Sequence, residues 1–380
     1  MKANFDTQFV LFDWFQFTII FDPDKQFEFT KNFTYLDSLV VSFFKEVFNI
    51  NGTLLDKKDK GINGYTQCYC FYEIEAYYNP NRLDMGINFK LSGKGCRVFD
   101  ELGLDWFNFI DFLLTEHNDY KIMISRVDIA IDDFTNDYFD LNKINEYILR
   151  GKIVTKFRKS LDIISRDLSK PKKLYGAQIQ LGSKSSGVEV TFYDKKLERI
   201  NNDYVVDPNI KYWIRTELRF RHEYALKVLE NIMKYNNDLN YTIKGVLHNY
   251  VRFIELDKSR KERCSTSLWW LDYLERVDKI KFNIKYKESD ITRKINWMDT
   301  SVSKSNFMVL ASMNNLIGVD EYVGDYLINF IKLGYEKIKT KDLDIINTYR
   351  TKKGLTSVTM EELEDMVKEY KEIYLNMYNI

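Results

Sequence analysis

A phenol that attacks a phosphodiester needs cations to steady the phosphate and carboxylates to move a proton or hold a metal. The stretch Gly182-Ser183-Lys184-Ser185-Ser186-Gly187-Val188-Glu189-Val190-Thr191-Phe192-Tyr193-Asp194-Lys195 offers such a phenol. It reads as a Gly/Ser turn followed by a short β-strand, in which alternate side chains face opposite ways. Val188, Val190 and Phe192 point into a core, and Glu189, Thr191 and Tyr193 form a polar row bracketed by Lys184, Lys195 and Lys196. Attack by Tyr193 on a backbone phosphate would give a phosphotyrosine and a free deoxyribose hydroxyl. Lys195 would lower the phenol's pKa or stabilise the leaving oxygen. Tyr175, one strand earlier, is the alternative nucleophile.

Two further strands supply the other groups. Arg126-Val127-Asp128-Ile129-Ala130-Ile131-Asp132 alternates strictly, with Arg126, Asp128 and Asp132 on its polar face. Trp213–Arg221 does the same with Arg215, Glu217, Arg219 and Arg221. Asp128, Asp132 and Glu217 are candidate metal ligands. Oxygen donors favour Mg²⁺ or Mn²⁺, which would act as a Lewis acid on the phosphoryl oxygen. Arg219 or Arg126 would neutralise charge in the transition state. Lys172, Lys173 and Lys184, with Arg126, would contact the DNA backbone. A half-buried antiparallel sheet always carries a polar outer face, and 26 tyrosines make any one of them a weak signal. The three strands taken together carry the inference.

The elements that must position these residues follow from the periodicity. Residues 8–21 and 84–92 read as strands, 65–78 as one strand, and 36–49 and 98–115 as helices. After the Asp128 strand, 140–150 is helical and capped by Gly151. Residues 152–173 are basic and mixed, and 174–181 and 187–194 are strands. The Glu217 strand precedes helices at 222–237 and 239–254. The expected fold is α+β: antiparallel strands crossed by helices in two similar halves. Residues 1–255 form the catalytic unit and 256–380 a mainly helical domain suited to DNA binding or dimerisation. In that region Thr359 and Glu362 make a capping-box pair. Trp269-Trp270 is an aromatic pair, exposed or docking.

Lysine plus arginine and aspartate plus glutamate both number 56, so no uniform basic coat exists. The charge is segregated, however. Residues 101–140 hold 10 acids and 2 bases, and residues 151–200 hold 12 bases and 5 acids. That pattern suits a carboxylate cluster beside a polyanion-binding strip. The 4 cysteines lack zinc spacing and read as free thiols of a reducing cytoplasm. The 3 histidines are far apart in sequence and form no metal motif. The opening residues do not read as a signal peptide, and no apolar run is long enough to span a bilayer.

At Asp13–Thr18, Gly86–Arg97 (GINFKLSGKGCR), Ser125–Asp133 (SRVDIAIDD), Leu181–Lys195, Arg215–Arg219 (RTELR) and Trp269-Trp270, the chain resembles the rolling-circle replication initiators of Gram-positive plasmids and the related relaxases of conjugative elements and phages. The resemblance implies a sequence-directed, metal-dependent endonuclease and strand transferase. Tyr193 matches its nucleophile, Asp128 the first acid of its R-x-D-x-A-x-D strand, and Glu217 and Arg219 its E-x-R strand. It also implies an origin DNA that is single-stranded at the nick, a host helicase and a homodimer, with no membrane. Glu189 departs from the family pattern, where basic or apolar residues are more usual. The competing class is a non-catalytic, sequence-specific DNA-binding protein on the same fold, which would have lost the tyrosine or the acids.

Overall fold

The computed structural model describes residues 8–21, 34–59, 61–166, 168, 174–183, 185–282, 298, 331–338 and 340–377. The first half of the chain opens with Gln8–Phe21 (β1) and Thr34–Phe48 (α1). Four strands follow: Asp56–Lys58 (β2), Gln67–Phe71 (β3), Ile74–Tyr78 (β4) and Ile87–Leu91 (β5). Gly93–Glu101 (α2) and Trp106–Leu114 (α3) close it. The second half repeats the plan with Tyr120–Asp133 (β6), Leu141–Leu149 (α4), Ile153–Thr155 (β7), Ser160–Arg166 (β8), Leu174–Leu181 (β9), Val188–Asp194 (β10), Lys195–Asn201 (α5) and Ile214–Arg221 (β11). Glu223–Lys234 (α6), Leu239–Tyr250 (α7), Val251–Phe253 (β12) and Leu268–Tyr273 (α8) complete this unit.

Ten strands form one antiparallel sheet in the order β2-β3-β4-β5-β1-β6-β11-β10-β9-β8. In each half a first strand and a helix lead into a four-strand meander, and its last strand returns to pair with the first. Thus β5 pairs with β1, and β11 with β6. The halves join where β1 and β6 pair from Gln8 opposite Asp133 to Phe21 opposite Tyr120. The fold is therefore α+β, with the duplicated plan expected from the element order.

One face of the sheet is apolar and lies under the helices. Val127, Ile129 and Ile131 of β6, Val188, Val190 and Phe192 of β10, and Leu218 and Phe220 of β11 are buried there with α-helical residues such as Phe44, Ile144, Val228 and Val246. The opposite face carries the polar rows and a small separate cluster of Cys68, Cys70 and Tyr77. All four cysteines are free and buried.

Three expected elements differ. Residues 65–78 make a hairpin rather than one strand, turning at Tyr72, which adopts φ 51°. Residues 98–115 are two helices. Gly103 at φ 69° ends the first, and Asp105 caps the second by accepting the amides of Phe107 and Asn108 at 2.8 Å. Apolar spacing runs through both helices and hides the break. The basic stretch 152–173 contains β7 and β8.

The contacts divide the chain at 284/285, not at 255/256. The reason is α8. Trp270, Tyr273 and Leu274 are fully buried in the core of the first unit, so the aromatic pair docks rather than faces solvent. The Tyr273 hydroxyl donates to Thr216 Oγ1 of β11 at 2.8 Å. Tyr273→Phe leaves that buried oxygen without its donor and is expected to cost about 1–3 kcal/mol. The check is a lower urea midpoint with an unchanged slope.

In the second unit Thr340–Lys352 (α9) and Met360–Met377 (α10) are helices. The capping box is present: Glu362 N–H donates to Thr359 Oγ1 at 3.2 Å, and Thr359 N–H to Glu362 Oε2 at 2.7 Å. Among the described residues, no helix is long and apolar enough to cross a membrane.

Candidate active site on the polar face of the sheet

The register brings the three predicted strands side by side. Asp132, Arg215 and Tyr193 form one rung across β6, β11 and β10. Ala130, Glu217 and Thr191 form the next, and Asp128, Arg219 and Glu189 the third. The Gly/Ser turn that starts β10 is held by Ser186 N–H donating to Ser183 O at 2.8 Å.

Arg219 ties the acids together. Its Nε donates to Asp128 Oδ2 at 3.0 Å, Nη1 to Glu189 Oε1 at 2.9 Å and Nη2 to Glu217 Oε1 at 2.9 Å. Asp128 also receives a bidentate pair from Arg126, whose Nε lies 2.9 Å from Oδ1. Arg126 stacks over Trp14, 4.2 Å from the ring centroid, so both its charge and its plane are engaged within the protein. The other oxygen of Glu217 accepts the Tyr193 hydroxyl at 3.2 Å. Lys195 sits 5.5 Å from the centroid of the Tyr193 ring and pairs with Glu198 at 2.6 Å.

Asp132 does not join Asp128 and Glu217. Arg215 grips it in a fork, Nε to Oδ1 at 2.6 Å and Nη2 to Oδ2 at 2.7 Å, and reaches Asp13 Oδ1 with Nη1 at 2.7 Å. Lys172, Lys173 and Lys184 lie outside the described residues, as does the side chain of Tyr175.

The electrostatics single out one carboxyl. Burial, then the Asp128 and Asp13 charges, push Glu217 up to about 7 against the pull of Arg219 and Arg215. Burial also raises the Tyr193 phenol well above its ordinary value, with Arg215 opposing. Asp13 is held low: burial raises it, but Arg215, Lys195 and Arg97 together outweigh burial. A phenol that resists ionisation is thus hydrogen-bonded to a carboxyl balanced near neutrality. Chemically, a phenol so placed can pass its proton to the carboxyl.

Carboxylate oxygens are the donors Mg²⁺ or Mn²⁺ takes. Arg219, however, already holds an oxygen of each of Asp128, Glu189 and Glu217, and Arg215 chelates Asp132. Among the described residues, no group of three or more ligating side chains is arranged to hold an ion. The side chains as placed do not fit the metal, because a guanidinium stands at the centre of the acids.

Sequence reasoning left Asp13, Arg215 and Glu189 without roles. Arg215 was legible as a member of the R-x-E-x-R face. Asp13 was not, because it reaches the site through a register shift of β1 between Phe12 and Trp14. The first half of the sheet repeats the third rung with weaker chemistry. Gln16, Lys90 and Glu75 stand where Asp128, Arg219 and Glu189 stand, and Asn88 replaces Glu217. The duplication thus has its full acid set in one half only.

A family model described as "Replication initiation factor" matches residues 122–328, more than half of the chain. The chain belongs to the replication initiation factor family. A second model, "Rolling Circle replication initiation protein N-terminal domain", matches residues 32–112. The two matches thus fall on the second and first halves of the sheet. A curated relative, "Putative DNA relaxase NicK" of Bacillus subtilis (strain 168), is 27% identical over 277 residues, covering 72% of this chain and 77% of the relative. Among solved structures, a rolling-circle replication initiator protein from Geobacillus stearothermophilus aligns with a TM-score of 0.56 at 24% identity, covering 73% of this chain and all of that one. That likeness shows the shared fold. Membership of the replication initiation factor family supports DNA as substrate and nicking for replication or transfer.

Proposed function

We propose that this initiator nicks one DNA strand and transfers it through Tyr193. Tyr193 Oη forms the new bond to phosphorus and the P–O3′ bond breaks, leaving a 5′-phosphotyrosine and a 3′-hydroxyl. The phenol's proton passes to Glu217, and the departing 3′ oxygen takes up a proton in turn. The observation that carries this reading is the hydrogen bond of 3.2 Å from Tyr193 to a carboxyl pushed up to about 7. Arg219 and Lys195, adjoining Glu217 and Tyr193, are the cations for the developing phosphate charge. The phosphodiester energy is conserved in the tyrosyl ester, so the strand can be rejoined.

The reading includes the divalent ion implied by the family resemblance. Asp128, Asp132 and Glu217 are the ligands that resemblance would give it, but Arg215 holds Asp132 and Arg219 stands among the other acids, so these side chains do not fit the ion and no step is routed through it. It also includes a host helicase and a second copy of the chain as partners, the second unit as a DNA-binding or dimerising part, and Lys172, Lys173 and Lys184 as backbone contacts.

The test uses supercoiled plasmid carrying the element's own origin, with Mg²⁺ or with EDTA. Nicked or relaxed product that needs the ion, with protein covalently attached to a labelled 5′ end, is the expected result. DNA that is bound but never cut returns the chain to the non-catalytic class.

A pH profile tests the proton acceptor. Below about 7 Glu217 is protonated and cannot take the phenol's proton. The single-turnover rate is therefore expected to rise about tenfold per pH unit and level off above that point. Glu217→Gln should lower the rate and flatten the rising limb. A limb displaced far below 7 in wild type would instead mean that a bound cation holds Glu217 ionised.

A further inference from the structure

Enzymes that cut and rejoin a strand must hold it on both sides of the scissile bond. One cleft of the initiator runs along Gln178, Gln180, Glu189, Tyr193, Glu217 and Arg219. A second opens beyond the rung of Asp132, Arg215 and Tyr193. Glu198 lines both; Tyr193 lines the first, and its register partner Arg215 lines the second.

We propose that this second cleft is a single-stranded nucleotide subsite, with Lys94 and Arg199 for a phosphodiester and Tyr204 as the platform for a base. The inference rests on the nicking reading above and extends the bound strand past the tyrosine. It starts from the pairing of charges. Each cation of the catalytic rungs is paired with acids: Arg126 with Asp128, Arg215 with Asp132 and Asp13, Arg219 with three acids. Lys94 and Arg199 differ. Among the described residues neither has a carboxylate within salt-bridge distance, and Lys94 is exposed. Both instead lie over one ring, Lys94 Nζ 5.4 Å and the Arg199 guanidinium 4.6 Å from the centroid of Tyr204. Arg199 also lies 5.9 Å from the centroid of Trp213. Tyr204 is 39% exposed.

Cations beside an accessible aromatic ring are the pair of features that single strands use: the charges track the backbone and the ring stacks a base without regard to sequence. The chain places them deliberately. Lys94 belongs to the Ser92-Gly93-Lys94-Gly95 start of α2, where Ser92 caps the helix by accepting Gly95 N–H at 3.3 Å. A side chain at Gly93 would press on the Asp13 carboxylate, with its Cβ only 3.2 Å from Oδ1. Small residues there let the lysine-bearing turn close on the Asp13–Arg215 pair. Arg199 comes from α5, the helix that also carries Lys195. The second cleft is thus wired to the nucleophile's strand from one side and to β1 from the other.

The test measures binding of a short fluorescein-labelled single strand to the full chain by anisotropy across a salt series, beside the covalent-adduct assay on origin plasmid. Tyr204→Ala is expected to weaken binding about tenfold, the effect of losing one stacked base, while Tyr204→Phe keeps wild-type affinity. Lys94→Gln with Arg199→Gln should reduce the slope of log K against log salt by about 1.4, from two lost phosphate contacts. Near-UV circular dichroism identical to wild type assigns these losses to the cleft. Wild type that binds and forms adduct, with Tyr204→Ala and the double variant equal to it in affinity and salt slope, overturns the subsite and leaves the nicking reading intact. Wild type that neither binds single strands nor forms adduct overturns both.

Discussion

Tyr193→Phe is expected to bind origin DNA with wild-type affinity and to leave it uncut, with nicking reduced at least about a thousandfold because no other group supplies the covalent bond. The substitution removes one oxygen and little packing. The lost hydrogen bond to Glu217 is worth about 0.5–1.5 kcal/mol, so the fold should persist. Tyr175→Phe is the matched control and should nick as wild type does. The gel that separates supercoiled from nicked plasmid reads both variants, and a labelled 5′ end shows whether protein is attached. Nicking that survives Tyr193→Phe but disappears with Tyr175→Phe would move the nucleophile to β9. Nicking that survives both would remove tyrosine from the mechanism. What makes Tyr193 the stronger candidate is its company rather than its residue type. It is the phenol whose register partner is Arg215 and whose hydroxyl meets Glu217.

That company was only half visible in the sequence. Strict alternation put Tyr193, Asp128, Glu217 and Arg219 on polar faces, and burial of Val190, Phe192, Ile129 and Leu218 agrees. Alternation says nothing of register between strands, so it could not tell that Arg219 stands among Asp128, Glu189 and Glu217. It also could not separate Asp132 from the other acids, because Asp128 and Asp132 share one face of one strand. Only the pairing of β11 with β6 puts Arg215 against Asp132. The buried carboxylate of Glu189 answers Arg219 and, at 3.6 Å, Arg221. The hairpin at Tyr72 was hidden for another reason. It turns on Tyr72 at positive φ followed by Glu73, without the glycine, asparagine or proline that marks such turns. The boundary near 255 followed a charged stretch that reads as a linker, whereas Trp270 and Tyr273 beyond it complete the core of the sheet unit.

Arg215 offers the clearest separation of stability from chemistry. Its side chain is 5% exposed and that of Asp132 6%, and the two share a two-pronged ion pair. Arg215→Met fills much of the volume but leaves Asp132 buried without a counter-charge and removes a cation from Asp13. Breaking such a pair from one side costs about 3–5 kcal/mol. Urea unfolding should show that loss. Asp132→Leu added to Arg215→Met removes the stranded charge, and replacing both members by apolar groups is often neutral or better. The double variant is therefore expected to recover most of the stability, with a favourable coupling in the double-mutant cycle. Its nicking should stay low, since Arg215 opposes the burial that raises the Tyr193 phenol and its loss makes the phenolate scarcer still. A double variant that regains both stability and full activity would reduce this rung to scaffolding. One that regains stability alone would place Arg215 in the service of the tyrosine. A double variant as unstable as Arg215→Met would mean that lost packing, not the stranded Asp132 charge, sets the cost.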